Sequence, residues 1–296
     1  MNLSVGWIGA GKMGEAMIER LLDGGVAVSV WNRTPEKCAA LIERGATAAS
    51  TPGEAASQQV VFSIVLDDTA LKDLYEREDG VLSGSATVWV DCSSVSPSAA
   101  KAASEAAAAK GVQFVSAPVS GNPGVVRAGR LIFAVSGPEA GIDAARPFFG
   151  VIGRAVHVVG ESNQASVVKI CTNALLGVLM ETLSEVAILG EKSGVKRQDL
   201  LNFINDSAVG SPFSAYKTAA LVDLDFTPTF TSEAQRKDLR LALSLAENAG
   251  ASMPLVAATE VEFDRLVISG VGAGLDIASA IAQVALDSEI EISPEN

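Results

Sequence analysis

Lys169 and Asn173 stand four residues apart in a stretch whose apolar spacing is helical, so they share one face. Ser166 and Gly177 fall on that face too, and leave space beside it. A lysine buried next to an open site supplies or removes a proton, because burial favours its neutral form. An amide one turn along holds a substrate oxygen, or the lysine itself. The same spacing also suits a lysine that snorkels from an amphipathic helix. A second group is Gly9-Ala10-Gly11-Lys12-Met13-Gly14, which follows the apolar run 3–8 and opens a helical pattern to about Asp23. In that setting the glycines give a sharp turn, a close backbone approach to a pyrophosphate, and tight helix–strand packing. The anion then rests on free N–H groups at a helix N-terminus.

The next strand, 26–31, ends in Asn32-Arg33-Thr34. Where NAD-selective chains place a carboxylate for the ribose hydroxyl, this chain has Asn32 and Arg33. Arg33 would pair with a 2′-phosphate and stack on adenine, and Thr34 adds a hydroxyl, so NADPH is the expected cofactor. The plain alternative is a solvated loop arginine.

These residues need a scaffold. Strand patterns at 47–50, 60–66, 87–90, 112–117, 131–135 and 156–159 alternate with helical ones. The nearly continuous apolar runs belong to parallel strands covered on both faces. Ligands of such sheets bind at the carboxyl ends of the strands. That places Leu66 with the cofactor, and Asp91-Cys92-Ser93-Ser94 where a nicotinamide and a substrate lie. The stretch 118–124 reads as a loop dense in turn residues. From about 162 to 192 the pattern is one long helix, broken only by Gly177 and Gly190, which reads as too polar to span a bilayer. Everything after it reads as helical. The expected architecture is an α/β Rossmann domain over 1–161, doubly wound around a mostly parallel sheet. The long helix joins it to an all-α domain over 162–296.

The net charge of −13 argues against nucleic acid and against an anionic membrane surface. Cys38, Cys92 and Cys171 are odd in number and widely spaced, which suits neither a disulfide framework nor a zinc site. His157 is the single histidine, mid-strand among valines, so no metal is expected. With no signal-like N-terminus, the expected location is the cytoplasm. Lys237, in Lys237-Asp238-Leu239, is a second basic point that also reads as a solvated helix-face charge.

Taken together, these motifs resemble the β-hydroxyacid dehydrogenase family, which includes 3-hydroxyisobutyrate dehydrogenases and tartronate, glyoxylate and succinic semialdehyde reductases. The resemblance runs over essentially the whole chain. It rests on Gly9 to Gly14, on Asp91 through Pro97, on Ala117-Pro118-Val119-Ser120-Gly121 with Gly129 and Leu131, on Gly160 with Lys169 and Asn173, and on Lys237-Asp238-Leu239. It implies that Lys169 is the proton donor to the carbonyl oxygen and Asn173 its orienting partner. It implies that Ser120, Gly121 and Asn122 grip a substrate carboxylate. Ser93 would lie beside the substrate, while Ser94 and Lys237 would touch the cofactor. It further implies a substrate cleft and a helical domain that pairs subunits into dimers or tetramers.

Four departures from the family pattern bear on substrate identity: Asn122 for a glycine, Ser116 for an acidic residue, and Asn163 and Ala165 for glycines. The expected activity is therefore interconversion of a small carboxylated aldehyde or ketone and its hydroxyacid. Reduction of imines or bulkier uncharged carbonyls is a second reading, prompted by Asn122. An NADPH-binding sensor or scaffold is a third, from outside enzymology.

Overall fold

The computed structural model describes residues 3–295. The chain divides into two compact units that part between Lys169 and Ile170. In the first unit the strands are β1 (Ser4–Ile8), β2 (Ala27–Trp31), β3 (Thr47–Ala48), β4 (Val60–Ser63), β5 (Val88–Asp91), β6 (Gln113–Ser116), β7 (Val119–Ser120), β8 (Leu131–Ser136) and β9 (Gly153–Gly160). Its helices are α1 (Lys12–Asp23), α2 (Ala39–Glu43), α3 (Pro52–Ala55), α4 (Asp68–Glu76), α5 (Pro97–Ala108), α6 (Pro123–Arg127) and α7 (Glu139–Ile152). The sheet order is β3-β2-β1-β4-β5-β6-β8-β7, with β9 on β8. β3 through β6 run parallel to their neighbours, as does β9 against β8, whereas β8 is antiparallel to β6 and β7.

Alternation along the central strands feeds two apolar layers. Val5, Trp7, Val60, Phe62, Val88 and Val90 face the layer that includes α1 and α7. Ile8, Val61 and Trp89 face the other. Trp7 stacks on Phe62 at 5.4 Å, and Phe148 and Phe149 of α7 meet Phe62 edge-on. Each such side chain, fully buried, contributes about 1.5–3 kcal/mol. Both faces are covered, which explains why these strands read as apolar runs rather than alternating ones.

The structure departs from the pattern reading in places. The strand expected at 47–50 is only Thr47–Ala48. The helical stretch after β2 begins as a 3₁₀ turn, Pro35–Cys38, before α2. The strand expected at 156–159 runs from Gly153 to Gly160. It pairs on one side only, so exposed Arg154 and His157 are tolerated there and mask its length. The loop expected over 118–124 contains β7 and the start of α6, which Asn122 caps.

Helix α8 (Gln164–Lys192) spans the division between the units, at about 44 Å for 29 residues. The second unit continues with α9 (Arg197–Asp206), α10 (Pro212–Asp223), α11 (Ser232–Ala249), α12 (Pro254–Ile268) and, after a 3₁₀ turn, α13 (Ala280–Asp287). Its core gathers Ile170, Ala174, Met180 and Ile188 of α8 with Leu201, Leu221, Leu239, Phe263 and Ile281. The expectation that α8 is too polar to span a bilayer is corrected. By length and composition it is apolar enough, with a window of mean hydropathy 1.4. The physical reason is that one long helix builds the core of this unit, and a core helix carries the same composition as a span.

Candidate active site

The glycine stretch forms a cradle at the carboxyl end of β1. Gly9 has φ +102° and its N–H donates to Trp31 O at 2.8 Å; a Cβ at Gly14 would stand 2.0 Å from Gly9 O. Above Gly11 nothing lies within 4 Å of an added Cβ, so the backbone there is open to a ligand. Gly11 is the N-cap of α1 and makes no side-chain cap, which leaves Lys12 and Met13 at an uncapped helix N-terminus. That opening and those donors fit a dinucleotide pyrophosphate. The Ala10 N–H donates to Asn32 Oδ1 at 2.9 Å, and Asn32 Nδ2 donates to Thr34 O at 2.8 Å. One amide thus fixes both the cradle and the turn that presents exposed Arg33 and Thr34. Leu66, after β4, is 76% exposed and offers an apolar face to a ring.

At the carboxyl end of β5, Asp91 is buried and accepts the hydroxyls of Ser63 and Ser93, each at 2.7 Å. Burial pushes its pKa up to about 6, against the lowering effect of those hydrogen bonds. Ser93 is buried as well; its oxygen accepts the Val65 N–H at 2.8 Å. Ser94 beside it is half-buried. The desolvated thiol of Cys92 is raised well above its usual range and stays neutral.

Ser120 and Gly121 are exposed at the end of β7. Gly121 has φ +145°, and an added Cβ would meet Val125 and Leu131 side chains at 2.8 and 2.9 Å. Asn122 spends its amide oxygen on the Val125 N–H at 3.0 Å. The side chain that departs from the family pattern is therefore a helix cap. The other departures also have local partners. Ser116 Oγ lies 3.3 Å from Ser166 Oγ, Asn163 Nδ2 donates to Pro97 O at 3.1 Å, and the Ala165 N–H donates to Ser136 Oγ at 3.0 Å.

On α8, Lys169 is half-buried and Asn173 buried. Asn173 Nδ2 donates to Asp238 of α11, and its backbone oxygen accepts Gln235 Nε2 at 3.0 Å. Gly177 makes room for Gln235, whose amide would stand 2.5 Å from a Cβ there. Asp238 is 3% exposed, and its other oxygen pairs with Lys237 at 2.9 Å. A buried carboxylate therefore joins Lys237 to Asn173. Asp238 and Gln235 have no role in a reading by spacing. The motif Lys237-Asp238-Leu239 contains the aspartate, but only the packing of α11 on α8 reveals what it holds. Among the described residues no group of three His, Cys, Asp or Glu side chains is placed to hold a metal ion.

Residues 4–160 match the family model described as the NAD binding domain of 6-phosphogluconate dehydrogenase. Residues 163–284 match that of the NAD-binding of NADP-dependent 3-hydroxyisobutyrate dehydrogenase. The chain is 31% identical over 290 residues to glyoxylate/succinic semialdehyde reductase 1 of Arabidopsis thaliana, covering 97% of this chain and 100% of that one. It is 35% identical over 261 residues to 3-hydroxyisobutyrate dehydrogenase of Pseudomonas aeruginosa, covering 85% and 88%. Among solved structures, Psf3 in complex with NADP+ and 2-OPP superposes with a TM-score of 0.87 at 26% identity, over 95% of this chain and 99% of that one.

Proposed function

This chain belongs to the β-hydroxyacid dehydrogenase family, and from that premise we propose that it reduces a small carboxylated aldehyde or ketone to its hydroxyacid with NADPH, reversibly. It is an NAD(P)-dependent oxidoreductase acting on CH–OH groups, with a small-molecule substrate. The NADP preference rests on exposed Arg33, with Thr34 and no carboxylate in the turn after β2.

The observation that carries the mechanism is the hydrogen bond from Asn173 to buried Asp238, which pins an amide one helical turn from Lys169. When bound, the nicotinamide supplies the hydride. The cradle of Gly9, Ala10, Gly11, Lys12, Met13 and Gly14 would take the pyrophosphate at the N-terminus of α1, where the first-turn N–H groups of Lys12 and Met13 have no cap; Arg33 and Thr34 would hold the 2′-phosphate, and Leu66, Ser94 and Lys237 would complete the cofactor contacts. Ser120 donates its hydroxyl to the substrate carboxylate, and Gly121 and Asn122 add backbone N–H groups. As the carbonyl carbon gains hydride, Lys169 gives its proton to the oxygen and Asn173 orients that oxygen. Such a positioned acid contributes about 10²–10⁴-fold. Ser93 stands beside the reacting carbon.

Assembly as a homodimer or homotetramer belongs to the same reading. It is supported by apolar side chains exposed on the second unit: Leu175 and Leu189 of α8, Phe203 of α9, Leu255 and Ile268 of α12. A cytoplasmic location suits the free cysteines.

The test is NADPH oxidation with glyoxylate, succinic semialdehyde, methylmalonate semialdehyde, tartronate semialdehyde and one cyclic imine, with NADH in parallel. Turnover of a carboxylated carbonyl, faster with NADPH and reduced at least 10²-fold in Lys169→Ala, is the expected result. Turnover of the imine alone, or a fully active Lys169→Ala, refutes the reading.

A further inference from the structure

Asp91 is an expensive residue in its position. It sits fully enclosed at the end of a central strand, and among the described residues no ion pair reaches it. A carboxylate taken out of water without a cation is disfavoured unless hydrogen bonds replace the lost solvent. Three do so here: Ser63 Oγ and Ser93 Oγ donate to Oδ1, both at 2.7 Å, and the Ser93 N–H donates to Oδ2 at 3.3 Å. Trp89 Nε1 holds Ser63 Oγ in turn at 2.8 Å.

Hydrogen counting on Ser93 gives the consequence. Its single hydroxyl proton goes to Asp91, and one of its two lone pairs takes the Val65 N–H. One lone pair remains. Toward a bound molecule Ser93 is then an acceptor and not a donor. It can take an N–H from a carboxamide or the O–H of a hydroxyacid, but it cannot grip a carboxylate. The Val65 N–H bond ties the segment after β4, which carries Val65 and Leu66, to Ser93 in the segment after β5, and the bond from Ser93 to Asp91 anchors that segment to the end of β5.

We propose that Asp91 is a positioning residue for the reaction: acting through the Ser93 hydroxyl, it locks the segments after β4 and β5 in one register and fixes Ser93 as a hydrogen-bond acceptor toward the nicotinamide carboxamide or the hydroxyacid O–H. This rests on the reading that the carboxyl edge of the sheet takes the nicotinamide and the substrate. Protonation of Asp91, whose pKa burial lifts to about 6, turns one carboxyl oxygen into a hydroxyl donor, removes the charge that strengthens the other bonds, and weakens the hold on Ser93. The groups packed against the carboxyl do not titrate in that range. On β4 it meets the Ser63 hydroxyl, across the ladder on β6 it faces Ser116, and just past its own strand it adjoins the neutral Cys92 thiol.

The experiment compares Asp91→Asn, Ser93→Ala and the double variant with the wild type. It uses the best substrate of the panel above at saturating NADPH, from pH 5 to 8.5. Asp91→Asn keeps the shape and does not ionise, but its amide N–H₂ opposes either the two serine hydroxyls or the Ser93 N–H, so it cannot hold Ser93 at both oxygens. The wild-type kcat is expected to fall on the acid side with an apparent pKa near 6. In Asp91→Asn and in Ser93→Ala, kcat is expected about tenfold lower at pH 7.5 and without that acid limb, with the dissociation constant of NADPH moved less than threefold. The double variant is expected to be no worse than either single one, because both remove the same lock. An Asp91→Asn enzyme with wild-type kcat, a retained acid limb, or additive losses overturns the proposal. Should Asp91→Asn fail to fold, Ser93→Ala alone decides by the same two readouts. A wild type inactive on the whole panel refutes the function proposed above instead, and is told apart by that control.

Discussion

Glu181 offers a test of the electrostatics of the second unit. It lies on the buried side of α8, near Glu185 of the same helix, Glu262 and Arg265 of α12, and Asp287 of α13. Arg265 is already shared between Glu262 and Asp287, at 2.6 and 2.8 Å. Desolvation first, then the field of Glu262 and Glu185, lifts the Glu181 pKa from the ordinary 4.5 to about 7. The folded chain then binds this proton more tightly than the unfolded chain does. Stability is complete below about pH 4.5 and drains as pH rises through about 7. At about 1.4 kcal/mol per pH unit, the ionised side chain costs the folded state about 3 kcal/mol above pH 8. Glu181→Gln keeps the volume and removes the charge. It is expected to match the wild type near pH 4.5 and to exceed it by about 3 kcal/mol at pH 8.5. Urea unfolding followed by far-ultraviolet circular dichroism reads the helices of both units, the all-helical second among them. The tryptophans, Trp7, Trp31 and Trp89, all lie in the first unit and report it separately. Asp91 titrates in the same direction in both proteins and cancels in the difference. A stability gap that does not change with pH, or a variant less stable at pH 8.5, refutes the argument.

Three further outcomes follow from other contacts. Arg33→Asp is expected to weaken NADPH use by about 10–100-fold, the worth of one charge-assisted pair, while sparing NADH; the ratio of kcat/KM for the two cofactors measures it, and an unchanged ratio removes Arg33 from the site. Arg197 is fully buried and donates to Glu191 and to the backbone oxygens of Leu221, Val222 and Ser293. Arg197→Met is expected to lower unfolding free energy by about 3–5 kcal/mol, with most of the loss in the helical signal. Gly121→Ala, strained at φ +145° and crowded by Val125 and Leu131, is expected to cost about 1–3 kcal/mol and to raise the KM for the carbonyl substrate more than that for NADPH.

What was legible in the chain follows from what is local. Gly9 to Gly14 act on their own backbone, and the strand before and helix after them sit within a few residues, so spacing alone reveals the motif. α9, Arg197–Asp206, falls in the stretch that reads as helical, because its pattern is local too. Partners brought by tertiary packing are not legible. Asp238 lies 65 residues from Asn173, and Ser63 lies 28 from Asp91. Asn122 carries a local duty that spacing does not show. A family comparison marks it as a change in a substrate loop, whereas Pro123 after it starts a five-residue helix that needs a cap. The apolarity of α8 is ambiguous in sequence because core and lipid call for the same side chains.

The two hydrogen bonds of Asn32 constrain how this chain's lineage can change diets. Its oxygen holds the Ala10 N–H and its nitrogen holds Thr34 O. A carboxylate at 32, the simplest way to recruit NAD, would keep the first bond and set a negative charge against the second carbonyl. It would loosen the turn it was meant to equip. Arg33 carries no such duty to the fold and is exposed. On the NADPH reading proposed above, cofactor choice is free to drift at 33 and held at 32. A single amide makes one of two adjacent positions evolvable and the other a fixture.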